Sequence, residues 1–269
     1  MALYARLLVN GRSNGGALSH RSVRYTHTVV RKALKDACRW GLVARNVADL
    51  ANPPKVTKTR KWTIWSPSEI GIFLRHVEAD RLSPLWELTV NTGMRRGELL
   101  GLRWEDLDLD AATVTVRRAL VVVGYSVIIR PTKTDRPRAI ALDAGIVAIL
   151  RDWRRIQLEE RLAWGPVYQD SGYIFTKENG SPLHPDETSK RFNRLVASAP
   201  VPRIRFHDVR HTWATTALAA GVHSKIVAER LGHGSIQITL DTYSHVIPQQ
   251  DRDAGALVAS LYRSAEART

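Results

Sequence analysis

The sequence predicts a mainly helical α+β fold: a short helical domain, then a large domain of helices carrying one small antiparallel β-sheet. Three observations predict it. Apolar residues recur at helical spacing through most of the chain, framed by capping and stop residues. Alternating β-branched residues gather in one region, 108–142. Strands do not alternate with helices, which argues against a parallel βαβ sheet. The 269 residues allow one large domain and a small one.

Charge divides the chain unevenly. The net charge is +14, from 40 Lys+Arg against 26 Asp+Glu. Residues 1–62 hold thirteen basic side chains and two acids, Asp36 and Asp49, whereas the remainder is nearly balanced. A basic segment that also looks folded fits a nucleic-acid partner better than a solvated tail does. No apolar run reaches the length of a membrane span, and no secretory cleavage pattern follows Met1. The single cysteine, Cys38, excludes an internal disulfide and a thiolate cluster, and fits a reducing cytosol.

Residues 1–17 are poorly patterned, and Asn10–Gly16 reads as a loop. Ser19 caps a helix that runs to about Trp40, with Gly41 ending it. Val23, His27, Val30, Leu34, Ala37 and Cys38 form its packing stripe; Arg24, Arg31, Lys35 and Arg39 lie off it and are candidate DNA contacts. A short helix at 47–50 precedes Pro53-Pro54. These breaks set a first domain at 1–54, a basic linker at 55–62 with Lys55, Lys58, Arg60 and Lys61 as further DNA contacts, and a second domain at 63–269.

Ser66-Pro67-Ser68-Glu69 is a capping box that opens a helix to about Ala79. A second helix covers 84–91, and Gly93 allows the turn from which Arg95 opens another, with Glu98 one turn on. Residues 108–120 read as one strand, 126–130 and 138–142 as two more, with 131–137 a polar hairpin tip carrying Lys133. Asp143 caps a helix to about Leu162; 172–176 is extended; 185–199 is helical. A helix through His207 stops at Gly221, and two more cover 224–231 and 236–245. After Pro248, 251–263 reads as a small amphipathic helix.

Chemistry concentrates near the end of the chain: Phe206-His207-Asp208-Val209-Arg210-His211-Thr212, then Leu231-Gly232-His233, then Tyr243. His207 and Arg210 share a helix face, an imidazole donor beside a planar guanidinium fork, which suits a phosphate. Alone they are an ordinary surface pair of a basic protein; their neighbours change that. His211 reads as structural, two residues from a packing Trp213, and His245 as a helix-end surface residue. No Walker or dinucleotide fingerprint accompanies them.

Five motifs resemble those of the tyrosine recombinase (phage integrase) family, in order and spacing: Thr-Gly-Met-Arg-Arg-Gly-Glu-Leu at 92–99, Thr-Lys-Thr at 132–134, His-Asp-Val-Arg-His-Thr at 207–212, Leu-Gly-His at 231–233 and Asp-Thr-Tyr-Ser-His at 241–245. The resemblance covers about 63–265 and extends to the exit of the first domain at 45–54. It implies that Tyr243 is the nucleophile and that Arg95 and Arg210 clamp the scissile phosphate. It implies that Lys133 protonates the leaving 5′-oxygen, that His207 assists proton transfer at the tyrosine, and that His233 binds a non-bridging oxygen. Glu98 supports the site, and the first domain is a partial core DNA-binding domain. The family's first domain is longer, so a shortened N-terminal part is expected here.

Elementary chemistry makes sense of this set. Cleaving a phosphodiester builds negative charge that two permanently protonated arginines stabilise. A phenol of pKa about 10 needs an acceptor or an electropositive setting to attack at neutral pH. Cationic side chains fill the place of a metal, so neither a metal nor another cofactor is expected. The implied function is site-specific cutting and rejoining of DNA through a 3′-phosphotyrosyl link, for integration or excision of a mobile or viral element. The implied partners are double-stranded attachment sites, three further copies in a DNA-bound tetramer, and accessory DNA-bending or directionality proteins, in the bacterial cytoplasm at the nucleoid. Two readings compete: a catalytically silent DNA-binding remnant, and a relaxing enzyme like the type IB topoisomerases.

Overall fold

The computed structural model describes residues 2–56, 63–132, 137–243 and Arg263. The chain divides into two compact units, Met1–Lys61 and Trp62–Thr269. Among the described residues no helix is long and apolar enough to cross a membrane.

The first unit holds two helices, α1 (Ala2–Asn10) and α2 (His20–Arg39), and a 3-10 turn at Val47–Leu50. The helix α1 falls where the sequence shows little pattern. Its reason is tertiary: Tyr4 is buried and its hydroxyl meets His27 Nδ1 of α2 at 2.6 Å. Ser19 caps α2 by accepting from the Ser22 N–H, and Gly41 takes φ +73 just beyond the helix end. The stripe runs as expected from buried Val23 through half-buried His27, Val30, Leu34, Ala37 and Cys38. Arg24, Arg31, Lys35 and Arg39 are exposed, as is Lys55. Arg31 is paired with Asp49, and Arg39 lies 3.7 Å from Asp36. Lys58, Arg60 and Lys61 lie outside the described residues, as does the segment 251–262.

The second unit is built on helices α3 (Pro67–His76), α4 (Ser83–Thr92), α5 (Arg96–Leu100), α6 (Ala144–Trp164), α7 (Pro185–Ser198), α8 (Phe206–Ala219), α9 (Ser224–Leu231) and α10 (Ile236–Tyr243). The capping box opens α3, but the helix stops at His76 rather than Ala79. Beyond it Asp80 caps a tight turn, accepting the Leu82 N–H and pairing with Arg191 of α7. An aromatic cluster ties the helices together. Trp65 lies 4.9 Å from Phe73, Phe73 5.6 Å from Phe192, and Phe192 5.2 Å from Phe206. Each aromatic is worth a large buried area, so this cluster anchors α3, α7 and α8 in one core. A second cluster joins α8, α9 and α10 through Ala214, Leu218, Val227, Leu231 and Tyr243.

The expected strand at 108–120 is three strands. β1 (Leu107–Asp108) turns into β2 (Thr113–Val116), and β3 (Arg118–Val123) follows. The Asp108 carboxylate accepts the N–H groups of Asp110 and Ala111, and Ala112 takes φ +49, which closes the first turn. Two further strands are β4 (Ser126–Pro131) and β5 (Arg138–Ala141). They form two small antiparallel sheets instead of one, β1-β2-β5 and β3-β4. Hence β4 and β5 are not paired with each other, and the expected hairpin at 131–137 instead joins two sheets. Lys133 lies outside the described residues.

Helix α5 packs flat on β3 at Gly97, where an added Cβ would press on the Leu120 carbonyl oxygen. Gly97→Ala should therefore cost about 2 kcal/mol through overpacking. Urea unfolding measures it, and an unchanged midpoint would contradict this packing.

Candidate active site

The site is assembled at the carbonyl end of α9. That end carries unpaired C=O groups and the negative pole of the helix. Three arginines converge on it. Arg138 Nε donates to the Arg230 carbonyl at 2.8 Å. Arg210 Nη2 donates to the Leu231 carbonyl at 2.6 Å, and Arg95 Nη1 reaches the same oxygen at 3.4 Å. Arg95 Nη2 donates to the Gly232 carbonyl at 3.0 Å. From its other side Arg210 Nη1 donates to the Gly93 carbonyl at 3.1 Å.

One carboxylate offsets this charge. Glu98 is 2% exposed and accepts from Arg95 Nη1 at 2.8 Å and from Arg138 Nη2 at 2.6 Å. It also accepts the Arg95 backbone N–H at 3.1 Å, so it caps α5 and positions the arginine that precedes it. Burial alone would raise its carboxyl; Arg138 and then Arg95 hold it below the usual range. Arg210 is buried, and burial followed by the charge of Arg95 pushes its guanidinium down to about 9, still protonated at neutral pH. Arg95 keeps 31% of its side chain exposed, so N–H groups remain for a ligand.

The other polar side chains surround this cluster. His233 follows the αL residue Gly232, and its Nδ1 meets Thr239 Oγ1 at 2.7 Å. Its imidazole is pushed down to about 4 by burial, then by Arg210 and Arg95. Tyr243 ends α10 and is buried among Leu218, Val227 and Leu231. Burial pushes its phenol up to about 12, against the pull of Arg210. The hydroxyl meets His211 Nδ1 at 2.9 Å. His211 is pushed down to about 4, first by burial and then by His207. His207 keeps an open surface, yet its imidazole, 5.2 Å from the His211 ring centroid, has enough protein around it to be depressed first by desolvation and then by Arg210.

The structure thus gathers Arg95, Glu98, Arg210, His233 and Tyr243, with His207 at the edge. Two neighbours escape the sequence reading. Arg138 looked like an ordinary strand residue, and only the tertiary approach of β5 to α9 reveals it. His211 looked structural, yet it holds the tyrosine hydroxyl. Its signal was its place four residues after His207, on the same helix face. Among the described residues no group of three His, Cys, Asp or Glu side chains gathers to hold a metal.

Comparison with known proteins gives the family and the fold. The model of the phage integrase family matches residues 73–250. The chain is 34% identical over 211 residues to a XerC-like tyrosine recombinase of Caldanaerobacter subterraneus subsp. tengcongensis, covering 74% of this chain and 54% of that one. It is 26% identical to the ICEBs1 integrase of Bacillus subtilis, covering 88% of this chain and 64% of the relative. It therefore spans between half and two thirds of these relatives. A Tn1549 transposon integrase solved with transposon right-end DNA superposes with a TM-score of 0.69 at 22% identity, covering 88% of this chain and 80% of that one. The XerA recombinase gives 0.57 at 20% identity, covering 87% and 77%. The chain belongs to the phage integrase family, and its fold is that of the tyrosine recombinases.

Two predictions follow from the electrostatics. Glu98→Gln leaves Arg95 and Arg138 without their counter-charge and should cost about 3 kcal/mol, measurable by urea unfolding. His211 and His233 are held neutral, near 4 against an ordinary 6.5. The unfolded chain binds protons first as pH falls, so their contribution is full above 6.5 and is lost between 6.5 and about 4. The thermal midpoint should fall through that window, and less steeply in His233→Asn; equal slopes would contradict the assignment.

Proposed function

We propose that this protein cuts and rejoins DNA at specific sites through a covalent tyrosine intermediate, moving a mobile or viral element into or out of a chromosome in the bacterial cytoplasm. The observation that carries the reading is the pairing of Arg95 and Arg210 on one carbonyl oxygen, with Tyr243 held in the field of Arg210. Two guanidinium forks that share an acceptor each carry five N–H donors, more than the carbonyls they meet, so donors remain for a second acceptor. A phosphodiester brought there gains charge-assisted hydrogen bonds that strengthen as charge builds on its oxygens.

In this proposal Tyr243 attacks phosphorus, leaving a 3′-phosphotyrosyl bond and a free 5′-hydroxyl. A second strand's 5′-hydroxyl then reverses the step. Lys133 protonates the leaving oxygen, His207 assists proton transfer at the tyrosine oxygen, and His233 donates to a non-bridging oxygen. Glu98 keeps Arg95 aimed. Bond energy is retained in the intermediate, so no nucleotide is consumed. The partners are double-stranded attachment sites, a homotetramer assembled on them, and accessory DNA-bending or directionality proteins. The first unit supplies non-specific grip as part of a core DNA-binding domain, through Arg24, Arg31, Lys35 and Arg39 and the linker cations Lys55, Lys58, Arg60 and Lys61. The DNA-bound Tn1549 integrase supports a DNA partner by likeness of fold.

The test is a nicked attachment-site substrate whose cleaved product diffuses away, trapping any covalent adduct. Wild type should form a protein–DNA adduct in EDTA, and Tyr243→Phe should form none. A wild type without adduct that still binds the site would favour a DNA-binding remnant. Relaxation of supercoils at any sequence would favour a topoisomerase-like enzyme.

A further inference from the structure

From the 2.9 Å contact between Tyr243 Oη and His211 Nδ1, we infer that His211 is the catalytic residue that takes the nucleophile's proton. This rests on the proposed cleavage of DNA by Tyr243. The two residues lie on different helices, α8 and α10, 32 positions apart, so packing and not local sequence brings them together. Their rings are 5.8 Å apart, tilted at 55°, with the ring nitrogen and the hydroxyl facing one another.

A buried phenol cannot shed its proton to water, and it needs an acceptor within hydrogen-bond reach. His211 is that acceptor in the described structure. His207, which the family resemblance puts in this role, is exposed, and among the described residues no hydrogen bond joins it to the hydroxyl; its ring centroid lies 5.2 Å from that of His211. A neutral imidazole presents one lone pair, and with its proton on Nε2 the Nδ1 atom accepts from the hydroxyl. The ring faces His207, Asp208, Arg205 and Arg210 from α8 and its N-terminus, and Tyr243 from α10. The Asp208 carboxylate is placed to steady an imidazolium once it forms. A phosphate seated on Arg95 and Arg210 would screen the cations that oppose that charge.

The step balances. The Tyr243 O–H bond breaks and its proton passes to His211 Nδ1 while the phenolic oxygen bonds to phosphorus. The bond from phosphorus to the 5′-oxygen breaks, and that oxygen takes a proton from the Lys133 ammonium. In the return step the incoming 5′-hydroxyl gives its proton to Lys133, and His211 gives its own back to the released tyrosine.

Single-turnover adduct formation with two nicked substrates tests this, one ordinary and one with sulfur at the leaving 5′ position. Sulfur leaves without protonation, so it relieves loss of the acid and not loss of the base. His211→Ala should slow adduct formation about 100-fold on both substrates, the usual worth of a general base. Added imidazole should restore part of the rate. His211→Asn, which keeps an acceptor near the Nδ1 position and guards against a folding defect, should melt like wild type and stay slow. Lys133→Ala should recover on the sulfur substrate alone. Wild-type rates in either His211 variant, or recovery of His211→Ala on sulfur, would overturn the assignment. Absence of adduct in wild type would instead overturn the reading of the chain as a DNA-cleaving enzyme, and this inference with it.

Discussion

Three guanidinium groups share the carbonyl end of one eight-residue helix, and the rest of the site depends on that. Like charges about 4 Å apart repel by roughly 4 kcal/mol in a partly buried setting. Arg95, Arg138 and Arg210 would not gather without compensation. The compensation has two parts: the buried carboxylate of Glu98, and the carbonyls of Arg230, Leu231 and Gly232 at the negative pole of α9. One full charge and a partial one oppose three, so the cluster keeps a surplus that an anion would satisfy. A cluster neutralised completely would have no call for phosphate.

The backbone accommodates this crowding at two glycines. Gly232 takes φ +64, and an added Cβ would lie 2.8 Å from Arg138 Nη1. Gly93 takes φ +62, presents its carbonyl to Arg210, and has Leu231 and Trp213 atoms 3.1 Å from where a Cβ would sit. Each glycine thus serves both a left-handed turn and a close approach. The same packing that brings α9 to the arginines brings α10 against α8, and so Tyr243 against His211. Electrostatic cluster and tyrosine seat are two faces of one helix arrangement.

The helices and their caps were legible in the sequence because their signals are local. Ser19, Ser66 and Asp143 cap where side-chain spacing says they should, and Gly93 and Gly221 mark their turns. The division into two sheets was not legible, since Val116 and Arg118 carry no mark of the break between them and strand pairing is decided by distant partners. Helix α1 was missed because its stabilising contact, Tyr4 with His27, is tertiary. At the site, Arg95 with Glu98 and His207 with Arg210 stand one turn apart and could be read. Arg138 and His211 could not be assigned, because their partners lie 40 and 32 residues away.

In the proposed reaction the arginine cluster holds a phosphate at the tyrosine. A crystal structure with nicked attachment-site DNA and vanadate, which mimics the five-coordinate phosphorus, tests it most directly. Vanadium should be bonded to Tyr243 Oη, with Arg95 and Arg210 N–H groups on the equatorial oxygens. Vanadate held elsewhere, with Tyr243 still seated on His211 and no oxyanion at the two arginines, would contradict it.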